Sequence, residues 1–262
     1  MFNFCSLYSG SSGNCLFIET ENTKLLIDAG VSLKKIEEGL DKVNVEPSSL
    51  NGILVTHEHS DHIKSLGSLS KKFDIPVFAN QKTFDAMPKQ VEKISDKNIH
   101  KFNVNEKFCI NDIEINPFSI YHDAADPCGF NFFSQNKKIS IATDIGHMDK
   151  VILEKLENSV FLLLEANYDP EVLKYTKYPF VLKQRIAGPN GHLPNEMAGK
   201  VINYLSNSGL KTAMLGHLSK ESNFPALAYQ TVIDELISNN TDISKFNLSV
   251  ASRDQVGDII NI

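Results

Sequence analysis

The chain has 262 residues, 42% hydrophobic and 22% charged, an ordinary globular composition with room for a sizeable core. Lys+Arg is 26 and Asp+Glu 32, and the resulting −6 argues against a generic nucleic-acid coat or a membrane-surface protein, while leaving room for a local basic groove. No signal-peptide signature, no apolar run of membrane-spanning length and four scattered cysteines without C-x-x-C lead us to expect reduced thiols and a cytoplasmic location.

The early strands are expected at Cys15–Ile18 and Lys24–Asp28, a hairpin turning at Glu21-Asn22-Thr23. Leu33, Ile36, Leu40 and Val43 have helical spacing, with Ser32 as N-cap. Gly52–Thr56 reads as a buried strand, Ile63–Phe73 as a helix and Val77–Ala79 as a strand. Further strands are expected around Pro117 (Ile113, Ile115, Ile120), at Phe130–Phe133 and at Ile139–Ala142. Val160–Leu164 and Thr212–Leu215 read as strands, and Asn195–Leu205 and Ala226–Ile237 as helices. No repeat or low-complexity linker is visible, so residues 1–262 are read as a single layered α/β domain. The cysteines read as buried small hydrophobes.

The strongest chemical signal is Thr56-His57-Glu58-His59-Ser60-Asp61-His62, directly after a buried strand. Imidazole nitrogen and carboxylate oxygen suit zinc and related metals. The spacing fails the zincin H-E-x-x-H pattern, because Asp61 stands where its second His belongs. His57 and His59 can point one way along an extended segment, and Asp61 and His62 can turn to face a second ion. Glu58 should point away. Asp28, His122, Asp144 and His217 each follow a strand-like run and are further candidates.

Asp28, the H-x-H-x-D-H run, His122, Asp144 and His217 resemble the five ordered motifs of the metallo-β-lactamase-fold hydrolases. The resemblance implies an αββα four-layer sandwich with its site along one edge of the packed sheets. It implies one ion on His57, His59 and His122, a second on Asp61, His62 and His217, Asp144 bridging both, and Asp28 bracing the cluster. True zinc β-lactamases usually carry Cys where Asp144 stands, and flavo-diiron proteins carry Glu in place of His59. The 22 positions from His122 to Asp144 are too few for the arm of the transfer-RNA-processing enzymes, and the 73 from Asp144 to His217 too few for a β-CASP insertion.

The other motifs are Ser9-Gly10-Ser11-Ser12-Gly13-Asn14-Cys15, Leu164–Asp169, Leu182–Ile186 leading into Gly191–Asn195, and Gly216–Ser219 before Asn223-Phe224-Pro225. Together they resemble the small bacterial YycJ/WalJ-type proteins, a nuclease-related branch. Tyr168 stands where His is expected, and Pro194 where Ser is usual. The resemblance implies 5′-to-3′ exonuclease action on DNA, with lactonases and glyoxalase II-like (thio)ester hydrolases sharing the ligand set as the alternative. A metal-stabilised binding protein is the non-enzymatic reading.

Two divalent ions about 3.5–4 Å apart can hold a bridging hydroxide and offset phosphate charge. Zinc is the first choice for a His-rich site, with manganese or iron also suited to Asp61 and Asp144. Asp61 can also steer the nucleophile's proton, and Glu165 is expected to orient His192 as general acid or phosphate donor. Val172–Asn195 has no acidic residue but carries Lys174, Lys177, Lys183 and Arg185 among Tyr175, Tyr178 and Phe180. Lys177, Lys183, Arg185 and Asn195 are therefore the expected DNA-binding residues. Two divalent ions would bring the formal −6 to −2, so the net charge does not count against a nuclease.

Overall fold

The computed structural model describes residues 1–262. Its strands, in chain order, are Phe2–Tyr8 (β1), Cys15–Thr20 (β2), Lys24–Ile27 (β3), Gly52–Leu54 (β4), Val77–Asn80 (β5), Ile99–Phe102 (β6) and Phe108–Ile110 (β7). There follow Ile113–Ser119 (β8), Cys128–Ser134 (β9), Lys137–Ala142 (β10), Phe161–Glu165 (β11), Thr212–Gly216 (β12), Asn247–Val250 (β13) and Ile260–Asn261 (β14). They build two seven-stranded sheets, ordered β14-β1-β2-β3-β4-β5-β6 and β13-β12-β11-β10-β9-β8-β7.

The apolar patterns explain the layering. A cluster of 20 buried residues draws on both sheets, with Phe4 and Leu25 from one and Phe130, Phe132 and Phe161 from the other. A second cluster of 24 packs helices Leu33–Lys42 and Leu66–Phe73 on the first sheet. A third of 21 packs helices Asn195–Ser206 and Pro225–Ser238 on the second. The result is helix, sheet, sheet, helix, the expected αββα sandwich. β11 is buried at every position because it runs parallel to both β10 and β12 and is covered on both faces.

Local expectations fare well where the signal is local. The hairpin of β2 and β3 forms as expected. Ser32 caps its helix, its side chain accepting from the Lys35 amide, a contact worth about 1 kcal/mol. The single helix expected over Ile63–Phe73 is instead two, Ser60–Ile63 and Leu66–Phe73. Ser65 interrupts them because its amide and hydroxyl go to the carbonyls of Ala29 and Val31. Pro117 sits inside β8 beyond the last β7 pair, so its missing N–H leaves no ladder bond unmade. Three cysteines are buried as expected, but Cys109 is exposed, on the edge strand β7.

The two sheets share one plan, which the sequence does not reveal as a repeat. In the first, β1, β2 and β3 pair antiparallel and β3 to β6 parallel. In the second, β8, β9 and β10 pair antiparallel and β10 to β13 parallel. Asp28 and His217 directly follow β3 and β12, Asp144 stands two residues beyond β10, and all three turn through left-handed backbone, with φ of 62°, 60° and 55° in the order Asp28, Asp144, His217. Non-glycine residues rarely adopt this conformation, which concentrates at functional turns. Gly30 completes the first of these turns. A Cβ there would lie 1.6 Å from the Asp61 carbonyl oxygen, so only glycine lets this turn lie against the His-rich segment. No helix is long and apolar enough to cross a membrane.

Candidate metal centre

The parallel strands place the candidate residues at one edge. The His-rich segment follows β4, Glu165 ends β11, and Asp28, Asp144 and His217 occupy the left-handed turns. The structure brings potential ligand atoms of His57, His59 and His122 together as one group, and those of Asp61, His62 and His217 as another. His122 Nε2 lies 3.3 Å from His59 Nδ1. Asp61 Oδ2 lies 3.5 Å from His62 Nε2 and 3.4 Å from His217 Nε2. Asp144 stands between the groups, with Oδ2 3.4 Å from His62 Nε2 and Oδ1 3.7 Å from His122 Nε2.

Each of the five imidazoles is tethered at its outer nitrogen. His62 Nδ1 donates to Asp28 Oδ2 at 2.7 Å and His217 Nδ1 to Glu165 Oε1 at 2.8 Å. His122 Nδ1 donates to the Gly191 carbonyl at 3.0 Å and His59 Nε2 to the Asp123 carbonyl at 3.2 Å. His57 Nδ1 donates to Thr56 Oγ1 at 3.0 Å, and that hydroxyl donates to Asp28. A proton held on the outer nitrogen leaves the inner one as a lone-pair donor, the arrangement that orients metal-binding histidines. His57 Nε2 and Asp144 Oδ2 are buried with no hydrogen-bond partner. Buried orphans of this kind are rare in folded proteins, and a divalent cation among these nitrogen and oxygen donors satisfies both.

The electrostatics agree. Burial opposes a charge on His62 and His217, but Asp144 and the neighbouring carboxylates outweigh it. His62 is held well above the ordinary imidazole value, and His217 is pushed up to about 10. Burial would also raise Asp61, yet hydrogen bonds from His217 and His62 hold it low. His57 is pushed the other way, by burial and then by its imidazole neighbours. The carboxylates thus favour positive charge on the Asp61–His62–His217 side, while burial and neighbouring imidazoles favour neutral rings at His57 and His122.

Above it lies a cavity of about 260 Å³. His59, Asp61, His122, Asp144, His192 and His217 line it, with Tyr178, Leu182 and Arg185 on the side of helix Phe180–Ile186. Glu165 is wholly buried and accepts four hydrogen bonds. Oε1 takes His192 Nδ1 and His217 Nδ1, each at 2.8 Å, and Oε2 takes the amides of Ile145 at 2.8 Å and Leu193 at 3.1 Å. Burial alone would raise this carboxyl, but the charges and hydrogen bonds of His192 and His217 hold it well below the ordinary range.

The expected groove residues fare unevenly. Arg185 lines the cavity but is clamped by Asp123, with Nε at 2.5 Å and Nη2 at 2.9 Å. Lys183 is exposed and donates to the Lys174 carbonyl at 2.6 Å, while Lys174 pairs with Glu171. Lys177 lies on the loop between helices Pro170–Tyr175 and Phe180–Ile186. Asn195 is a correction. It is wholly buried and exchanges hydrogen bonds with Asn223, so its side chain does not face the cavity. Tyr168 and Pro194 bridge to each other, and the Asn195 amide donates to the Tyr168 carbonyl. Glu58 points away, accepting from the Ala125 amide at 2.7 Å.

Thr56, Asp123, Asn14 and Asn167 were not anticipated. Asn14 Nδ2 lies 3.2 Å from His62 Nε2, and Asn167 Nδ2 donates to the His217 carbonyl. Their neighbours were visible in the sequence, because Thr56 precedes the His-rich segment and Asp123 follows His122. Asn14 ends the glycine-rich loop.

Residues 23–218 match the family model described as the beta-lactamase superfamily domain. The chain is 39% identical over 237 residues to the exodeoxyribonuclease WalJ of Streptococcus pneumoniae serotype 2, covering 90% of this chain and 88% of that one. It is 37% identical over 230 residues to the exodeoxyribonuclease YycJ of Bacillus anthracis, covering 88% and 87%. Among solved structures, the metallo-β-lactamase fold protein YhfI from Bacillus subtilis superposes with a TM-score of 0.69 at 16% identity, covering 98% of this chain and all of that one, a likeness of fold.

Proposed function

Because the chain belongs to the metallo-β-lactamase superfamily, in the branch of the WalJ and YycJ proteins, we propose that it is a metal-dependent DNA exonuclease working 5′ to 3′. The observation that carries the reading is the convergence of five tethered imidazoles on an open cavity. The names of the relatives direct the choice of substrate. His57, His59 and His122 would hold one divalent ion, and Asp61, His62 and His217 a second, with Asp144 shared and Asp28 bracing. Zinc suits the imidazoles, and manganese or iron also suits the carboxylates. Bound there, such ions would activate water near neutral pH and offset the charge of the phosphate.

The chain's own groups supply the rest. Glu165 accepts a hydrogen bond from His192 Nδ1 at 2.8 Å, which fixes the ring where it lines the cavity. His192 Nε2 is then the atom that can give a proton to the leaving 3′-oxygen, and Glu165 steadies the charged ring before transfer. Asp61, which lines the same cavity, can steer the attacking water. Lys183 and Lys177, on and just before helix Phe180–Ile186, are the free cations near the cavity that can meet the phosphates of a strand, Arg185 being held by Asp123.

The test is His192→Ala with metal content measured beside turnover on end-labelled DNA. Turnover should fall by about 10²–10⁴-fold while metal content holds. Unchanged turnover removes the role. Substrate class is tested with DNA, RNA, a lactone and a thioester, with label at either end for polarity. Chelator-sensitive activity on the esters alone overturns the nuclease reading.

A further inference from the structure

The chain has only two arginines among its 26 Lys+Arg, and both stand beside cavities at the same edge. Arg185 lines the catalytic cavity and is spent on Asp123. Arg253 lines a neighbouring cavity of about 500 Å³. The two cavities share Ser219, and the glycine-rich loop borders both, with Ser9 on one side and Ser11 on the other.

Arg253 makes one hydrogen bond, from Nη2 to the Leu218 carbonyl at 2.7 Å, just after His217. Its Nε is buried and unpartnered, against Gly10, where a Cβ would come within 2.9 Å of it. Most of the guanidinium fork is thus left unused by the protein. The one acid on this wall, Asp254, turns to Lys35 at 3.3 Å. Lys220 adds an exposed ammonium. Ser219 Oγ accepts from the Ser222 amide, so its O–H remains free to donate. Phe224, 52% exposed, offers an aromatic face at the same cavity.

Arginine and lysine with a hydroxyl suit a phosphate, and an exposed ring beside them suits a base. We propose that this cavity is a nucleotide subsite. It takes the nucleotide next to the scissile bond, with phosphate on Arg253, Lys220 and Ser219 and base on Phe224. The proposal rests on the nuclease reading and names where a second part of the strand is held.

Fluorescence anisotropy of a 3′-labelled single-stranded 12-mer in EDTA, titrated with KCl, reads binding without turnover. Arg253→Ala should weaken binding about 10-fold and flatten the slope of log affinity against log salt by about 0.7, the value for one lost phosphate contact on a single strand. Arg253→Lys should restore the slope. Phe224→Ala should weaken binding about 10-fold at unchanged slope, as for a lost stacking contact. With metal restored, Arg253→Ala should lose at least about tenfold more kcat/KM on the 12-mer than on bis(p-nitrophenyl) phosphate, which is too small to fill both cavities. Equal losses on both substrates with a lowered Tm, or wild-type affinity and slope in both alanine variants, would overturn the subsite alone. Wild-type protein that neither binds nor degrades the 12-mer removes the nuclease reading with it.

Discussion

Replacing Glu165 by Gln changes one atom at the most heavily bonded carboxylate of the site. The carboxylate faces four donors, two imidazole Nδ1 atoms and two backbone amides. An amide NH₂ must displace an acceptor on one side or the other. Toward Ile145 and Leu193 it meets two fixed N–H groups and loses both bonds, at about 1.5–3 kcal/mol each for a charged acceptor. Toward the imidazoles the cost is lower, because a ring can move its proton from Nδ1 to Nε2. We expect the second orientation. It places a proton on the His217 nitrogen that faces Asp61 at 3.4 Å, and so removes that lone pair. The variant should fold, with about 1–3 kcal/mol lost in urea unfolding of EDTA-treated protein. Zinc affinity at the Asp61–His62–His217 group should fall about 100-fold, at the upper end for groups that orient metal-binding histidines. Competition with a chromophoric chelator measures it. Wild-type zinc affinity together with unfolding within about 0.5 kcal/mol of wild type would refute the argument.

Three further outcomes are expected. Asp28→Asn disturbs an acceptor of the Thr56 amide at 2.9 Å, the Thr56 hydroxyl at 2.9 Å and His62 Nδ1 at 2.7 Å, and should weaken zinc binding about 10–100-fold in the same competition assay. In metal-free protein His217 is raised from 6.5 to about 10, so the stability it contributes is full below pH 6.5 and is lost as pH rises through 10. The Tm of EDTA-treated protein should therefore drop between about pH 7 and 9.5, and more steeply than that of zinc-loaded protein. Equal profiles would count against it. Only Cys109 is exposed, so a thiol reagent should modify one cysteine in the native chain and four after denaturation, and rapid native modification of Cys5, Cys15 or Cys128 would contradict the packing.

The parts of the fold legible in the sequence are those that local chemistry decides. The continuous apolar run of β11, the Ser32 cap and the hairpin of β2 and β3 are all short-range patterns. The metal candidates were legible because several follow strand-like runs, and parallel strands bring such ends together. What was not legible depends on distant partners. The two residues of β14 carry no pattern of their own and become a strand by pairing with Asn3 and Phe4. Asn195 looked like a free polar group because its partner, Asn223, lies across the next connection. Arg185 looked like a free cation because its partner follows His122, on the other side of the cavity. The left-handed turns at Asp28, Asp144 and His217 gave no signal, since the positive φ falls on the ligand residues themselves rather than on the glycines beside them.

The shared plan of the two sheets has a consequence for how the site comes into being. The first sheet and its loops carry His57, His59, Asp61 and His62, and the second sheet and its loops carry His122, Asp144 and His217. Neither sheet alone carries all of His57, His59 and His122 or all of Asp61, His62 and His217, so each of these two groups forms only when the sheets have packed on each other. Even Asp28, beside the first sheet, has its topological counterpart in Asp144, beside the second. An ion held at either of these two groups would therefore tie the sheets together as well as serve the cavity.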